Sequence, residues 1–171
     1  ELESMAEYFS NLGVSHWCLP LLSPDGRGKK IEKDVLHGEE IVDFIKRIKL
    51  VSQKYPQMKI GIDLPYAAII DNDKKKYQSK VCVAAITELT IFANGDVSPC
   101  FAMVTSAGNV REAKISNIWN DSKMFNEFRD KSLIHGKCHN CGYRDACGGG
   151  CRANAFIKNG DYLGDDNVCW L

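Results

Sequence analysis

The sequence predicts an α/β segment followed by a smaller α+β segment, and three observations carry that division. Only one of the eight cysteines precedes residue 82, while the other seven lie between Cys82 and Cys169. Up to about residue 64 the apolar residues alternate between helical spacing and short continuous runs, the pattern of helices and parallel strands joined in sequence. After Cys82 the pattern changes to a hairpin signal, Ala93-Asn94-Gly95-Asp96, followed by short helical stretches and a segment crowded with cysteine and glycine. The expected organisation is residues 1–65 as the end of a larger α/β sheet or barrel, 66–81 as a linker, and 82–171 as a cysteine-rich domain.

Taken in order, Leu2, Met5, Ala6, Phe9 and Leu12 recur at helical spacing, and Gly13 is placed to stop the helix. The run from Val14 to Leu22 reads as a buried strand with Cys18 inside it, broken by Pro24, Gly26 and Gly28. After Gly38 comes the clearest helix. Ile41, Phe44, Ile45, Ile48, Val51 and Tyr55 line one face, acids lead and bases trail in accord with the helix dipole, and Pro56 ends it. Met58 to Leu64 reads as a second buried strand. Two strands do not make a stable sheet alone, so this unit is expected to belong to a larger one.

The stretch Asp71 to Lys80 is polar and charged and reads as a solvated linker. Beyond Cys82, Thr87–Phe92 and Val97–Cys100 are the expected hairpin strands. Residues 115–128 are expected to form one helix, with Ile118, Trp119, Phe125 and Phe128 in the core. Cys138 to Cys151 is too dense in cysteine and glycine for regular structure to be expected. One or two helical turns follow from Ala153 to Ile157, and Asn159-Gly160-Asp161 reads as a turn.

Composition narrows the function. The formal net charge is zero, so neither nucleic acid nor an acidic membrane surface is an expected partner. No apolar run approaches the ~20 residues that span a bilayer. The first ten residues lack the layout of a signal peptide and open directly in a helical pattern without an initiator Met, so a cytoplasmic piece of a longer protein is expected.

The cysteines carry the chemistry. Cys82 is followed after twelve residues by Gly95 and after four more by Cys100. The series resumes as Cys138-x2-Cys141-x5-Cys147-x3-Cys151 and ends at Cys169. A C-x2-C turn directs two sulfurs at one metal centre. A disulfide between Cys138 and Cys141 would close a very small, strained ring. Gly148, Gly149 and Gly150 remove side chains between two cysteines, so that the backbone can approach a bulky inorganic core and aim N–H groups at its sulfurs. Seven ligands exceed one four-coordinate zinc ion. They suit one closed four-thiolate site and one three-thiolate site with an open position.

The pattern C-x9–15-G-x4-C, gap, C-x2-C-x5-C-x3-C, gap, C resembles the signature of the SPASM domain, the C-terminal extension of radical S-adenosylmethionine enzymes. That resemblance covers residues 82–171 and includes Gly95. It implies two auxiliary [4Fe–4S] clusters with interleaved ligands: Cys82, Cys100 and Cys151 for the first, and Cys138, Cys141, Cys147 and Cys169 for the second. Some members supply a fourth cysteine to the first cluster six residues after its first ligand; here Glu88 stands there.

The resemblance also implies that residues 1–65 end a partial (β/α)6 barrel, with Pro24-Asp25-Gly26-Arg27-Gly28 similar to the turn after its last strand. S-adenosylmethionine and a third [4Fe–4S] cluster belong to the parent enzyme, because no C-x3-C-x2-C triplet occurs here and Asn154 stands where Cys147-x3-Cys151 would need its third cysteine. The expected activity is that of an oxidoreductase or maturase in peptide maturation or cofactor biosynthesis. Its partners would be the parent's N-terminal barrel, an electron-donor protein, and a peptide, protein or small-molecule substrate. Pyrroloquinoline-quinone and sulfatase maturases are the kind of protein resembled. The piece alone is expected not to cleave S-adenosylmethionine.

The rival readings are a zinc-binding structural or interaction module and a secreted disulfide scaffold. Among other residues, Cys18 is expected to be a buried structural thiol. His139 sits between two ligands but is not needed by a complete cysteine set, and His16, His37 and His135 show no partner pattern. Trp17, Trp119 and Trp170 are read as core or shielding residues. Arg144, Asp145 and Arg152 flank the cysteines; exposure at the surface is the expectation, with tuning of the charge there as the alternative.

Overall fold

The computed structural model describes residues 1–22, 26–62, 66, 69 and 82–171. Helix α1 spans Leu2–Asn11 and buries Leu2 and Ala6. It ends as expected at Gly13, whose φ is +74°, with the Val14 N–H donating to Phe9 O and the Gly13 N–H to Ser10 O. These paired bonds with glycine in the left-handed region form a Schellman motif. Strand β1 (His16–Leu19) follows, then a 3₁₀ stretch (Gly26–Asp34) kinked at Ile31, helix α2 (Glu39–Lys54) and strand β2 (Lys59–Ile62).

The strands pair in parallel, His16 with Lys59 through Leu19 with Ile62. The unit is therefore βαβ, as the periodicity requires. Ile41, Ile45, Ile48 and Val51 form the buried face of α2. Ile48 and Val51 meet Leu2, Ala6 and Met58 in one core, against which Trp17, Leu19, Ile60 and Ile62 pack. Arg47 clamps α2 to α1 with a two-pronged bond to Glu3.

The two strands are less buried than expected, and Cys18 is exposed. The alternation within β1 is the reason. Trp17 and Leu19 turn toward the helices, so His16 and Cys18 occupy the opposite face, which no described residue covers.

In the second region β3 (Thr90–Ile91) and β4 (Val97–Ser98) form the expected antiparallel hairpin, shorter than anticipated. The turn is a Phe92–Gly95 reversal closed by the Gly95 N–H on Phe92 O, with Gly95 at φ +92°. A Cβ on Gly95 would stand 2.6 Å from Asn109 Oδ1. Asn109 in turn donates to Asn94 O and Asp96 Oδ1. Gly95 is thus required both by its backbone conformation and by the close approach of the 107–110 segment.

The single helix expected over 115–128 is instead two, α3 (Ile115–Asp121) and α4 (Lys123–Arg129), because Ser122 is extended. The break brings Trp119 edge-on to Phe125 at 5.4 Å, with Ile118 and Phe125 in a core shared with Ala85 and Val97.

The segment 138–151 is also more regular than expected. Cys138 lies in a 3₁₀ turn (Gly136–Asn140), and Cys147 ends a helical turn, α5 (Arg144–Cys147). Helix α6 (Arg152–Asn159) starts directly after Cys151 and stops at Gly160.

A third core joins the regions: Ile41 and Ile45 of α2 pack with Tyr66, Cys147 and Val168, flanked by Cys169 and Trp170. Tyr66, at the start of the expected linker, is fully buried. The expected solvated stretch Asp71–Lys80 and the turn residues Pro24 and Asp25 lie outside the described residues.

Candidate metal centre

All eight cysteines are free thiols. Cys18 is exposed, Cys147 is buried, and the other six are partly buried. Cys147 is the most enclosed, at 5% exposure. Burial pushes its thiol up to about 12, opposed by the Gly150 N–H, which favours the thiolate. Burial also raises Cys138 and Cys169, and takes Cys151 to about 11.

The remaining influences sort the thiols. Cys169 and Cys141 both act on Cys138, Cys169 and Cys138 act on Cys147, and Cys141 acts on Cys169. Cys82 acts on Cys151. Each is a charge near enough to disfavour a second negative charge on its neighbour. These influences link Cys138 with Cys141, Cys147 and Cys169, and Cys82 with Cys151.

Backbone donors surround these sulfurs. Cys151 is the N-terminal cap residue of α6, and the Ala153 and Asn154 N–H groups favour its thiolate. The Tyr143 N–H donates to Cys141 Sγ at 3.5 Å, and the Ala102 N–H to Cys100 Sγ at 3.4 Å. The three glycines at 148–150 all adopt left-handed backbone, with φ between +70° and +80°. Cys138 Sγ reaches Gly149 O at 4.0 Å, and a Cβ on Gly150 would stand 2.5 Å from Asp166 Oδ2. The loop folds only without side chains.

Two residues that the sequence reading did not single out hold this architecture. Asp166 is buried and accepts from the Cys151 N–H at 2.6 Å, from the Val168 N–H at 3.0 Å, and from the Tyr66 hydroxyl. Burial and the Asp166 carboxylate keep the Tyr66 hydroxyl protonated. Asp165 accepts from the Cys138 N–H at 3.3 Å. Neither acid carries a signal in one sequence, because acids in a polar loop look the same whether they face water or backbone.

Arg152 was expected at the surface and is instead 4% exposed. The start of α6 turns it inward, where its Nη1 donates to Tyr162 O and Gly164 O. Arg144 is half-buried on His139 O, and Asp145 is exposed. Glu88 is exposed. His139 binds Ile134 O through Nδ1, and His135 pairs with Asp161 at 2.9 Å. Trp170 packs on Tyr66 beside Cys169, Trp119 lies in the hairpin core, and Trp17 packs edge-on to Phe9.

The donors fit an iron–sulfur group. Thiols buried this deeply stay neutral unless a strong positive centre faces them, and the surrounding N–H groups suit thiolates and sulfides. Among the described residues, no three His, Cys, Asp or Glu side chains are arranged to hold a single metal ion.

Residues 82–142 match the family model SPASM, an iron–sulfur cluster-binding domain. This chain carries a SPASM domain. Its curated relatives carry the resemblance further. An AdoMet-dependent heme synthase of Oleidesulfovibrio alaskensis is 30% identical over 175 residues, covering 93% of this chain and 44% of that protein. Its counterpart in Methanosarcina barkeri is 28% identical over 183 residues, covering 99% of this chain and 52% of that protein. A PqqA peptide cyclase of Streptomyces rochei is 37% identical over 89 residues, covering 50% of this chain and 24% of that protein.

The chain thus spans about half the length of the heme synthases it matches. The resemblance to radical S-adenosylmethionine proteins bearing a SPASM domain holds. The SPASM match ends before Cys147, so the later cysteines stand on their own geometry. Among the described residues no helix is long and apolar enough to cross a membrane.

Proposed function

We propose that the chain is the C-terminal part of a cytoplasmic radical S-adenosylmethionine oxidoreductase, residues 1–65 being the end of its barrel, and that its SPASM domain holds two auxiliary [4Fe–4S] clusters. Cys82, Cys100 and Cys151 hold the first, and Cys138, Cys141, Cys147 and Cys169 the second. What supports this reading is the left-handed glycine loop at 148–150 between Cys147 and Cys151, together with the electrostatic links of Cys138 to Cys141 and Cys169 and of Cys82 to Cys151.

Bound there, the clusters would supply one-electron transfer to or from a substrate. The chain's own residues do the rest. The glycine loop lets the backbone close around each cage. Asp166 fixes the Cys151 backbone through its N–H and ties it to Tyr66. Tyr66 and Trp170 pack together beside the half-buried Cys169. Three cysteines for the first cage leave a position that Glu88 does not visibly fill, suited to substrate or solvent.

The choice of substrate rests on coverage. The heme-synthase relatives align along 92–99% of this chain, including the βαβ region, whereas the peptide cyclases align along 50–54%. A small molecule on the way to heme is therefore favoured over the peptide or protein side chain that the cysteine pattern alone brought forward. Cleavage of S-adenosylmethionine belongs to the part of the enzyme that carries a C-x3-C-x2-C triplet.

The test is anaerobic reconstitution of the chain, followed by iron, sulfide and zinc analysis. Two clusters correspond to roughly eight iron and eight sulfide per chain. Stoichiometric zinc without sulfide would instead establish the structural zinc module.

A further inference from the structure

We infer that Arg152 is a positioning residue for the second cluster, supplying a fixed positive charge and two N–H donors to the sulfur cage that Cys138 helps to form. This rests on the two-cluster reading above.

The guanidinium is almost entirely enclosed, and only Nη1 is used, by the carbonyls of Tyr162 and Gly164 at 3.0 and 2.7 Å. Nε and Nη2 are buried without an acceptor. Among the described residues no carboxylate stands within ion-pair distance of it. A buried cation with unmet donors is costly unless an anion faces it.

The space it occupies is prepared. A Cβ at Gly149 would stand 3.0 Å from both Cζ and Nη2, so glycine at 149 is what admits the guanidinium. The field of Arg152 reaches Cys138, whose thiolate it favours. Arg152 also lines the cleft that holds Cys82 and Gly148. A cage of thiolates and sulfides carries the negative charge and the acceptors that this side chain lacks.

Arg129 shows the alternative. Its Nη2 is also without an acceptor, but its charge lies 4.6 Å over the Trp119 ring and its Nε donates to Ala85 O, with no cysteine involved. Aromatic faces stabilise that cation. No aromatic ring does so for Arg152 among the described residues.

Hydrogen bonds and positive charge at cluster sulfur favour the reduced state. The experiment uses the full-length protein, reconstituted anaerobically with iron and sulfide and labelled with ¹⁵N at its arginine guanidinium groups. Pulsed electron–nuclear spectroscopy of the reduced wild type is expected to show ¹⁵N coupling to one cluster. In Arg152→Gln that coupling is lost and the potential of one cluster moves to more negative values, with the others unmoved and iron and sulfide contents unchanged. Arg152→Lys keeps the charge and moves less.

No arginine coupling in the loaded wild type overturns the inference, as does a potential unchanged in Arg152→Gln. Should Arg152→Gln fail to take up iron, the labelled wild type decides. Wild-type protein without sulfide fails at the cluster reading itself, and the role of Arg152 falls with it.

Discussion

The two regions of the chain are held together by different means. The βαβ region buries Ile48 and Val51 of α2 against α1 and a parallel strand pair, and its polar contacts, such as Arg47 with Glu3, are at the surface. The SPASM region has a small apolar core around Phe125 and, beside it, a zone where cysteine, glycine and buried polar groups take the place of aliphatic side chains. A stripe of apolar residues folds on its own energetics. A zone of buried thiols and an enclosed arginine leaves polar groups that gain from a bound metal centre. The contrast predicts that stability of the Ile48–Val51 core and metal content of the second region vary separately, although Ile41 and Ile45 join the two, and four experiments test how far.

Replacing both Cys138 and Cys141 by alanine has the largest expected effect. It removes two ligands of one set, so roughly half of the auxiliary iron and sulfide is lost. Circular dichroism should report disorder in the SPASM region, because metal binding and folding are coupled there. Full iron content in that variant would break the proposed division of ligands.

Ile48→Ala acts on the other side of the comparison. Ile48 is 3% exposed within the βαβ core, and its truncation should lower stability by about 2–5 kcal/mol in denaturant titrations. Iron and sulfide should stay at wild-type levels. A proportional loss of iron would show that the two regions are not separable.

Gly95→Ala probes the hairpin. The left-handed backbone and the contact with Asn109 together should cost about 1–3 kcal/mol, read as a lowered melting temperature. An unchanged melting temperature would mean that the 107–110 segment yields easily.

The smallest effect is expected from acid. Hydrogen bonds from Asn109, Asn94 and Ser106 hold the exposed Asp96 carboxyl below its ordinary value. A carboxyl lowered on folding stabilises the fold above its unfolded value, and that contribution is lost as the pH falls toward the folded one. Asp96→Asn should therefore flatten the acid limb of the hairpin's stability curve. An acid limb identical to wild type would remove Asp96 from the account.

Much of this was legible in the sequence because the signals are local. Helix α2 follows from the spacing of Ile41, Ile45, Ile48 and Val51 and from Pro56, and the end of α1 from Gly13. The hairpin follows from Asn94-Gly95, and the cysteine pattern alone led to the SPASM family. The split between α3 and α4 was not legible, since the extended Ser122 interrupts a stretch whose apolar spacing is helical throughout. An apolar neighbourhood predicts burial for Cys18, whereas strand alternation decides which face it takes, and it is exposed.

The sequence by itself determined the elements, their order and the class of metal chemistry. Helical spacing, turn glycines and thiol spacing act over a few residues, where chain connectivity leaves little choice. Only the tertiary structure decided that Tyr66 and Asp166 bind each other and lock the Cys151 backbone, and that Arg152 turns inward with two donors unmet. Those outcomes depend on segments up to 100 residues apart arriving at one place, and burial is a property of that arrival rather than of any residue alone.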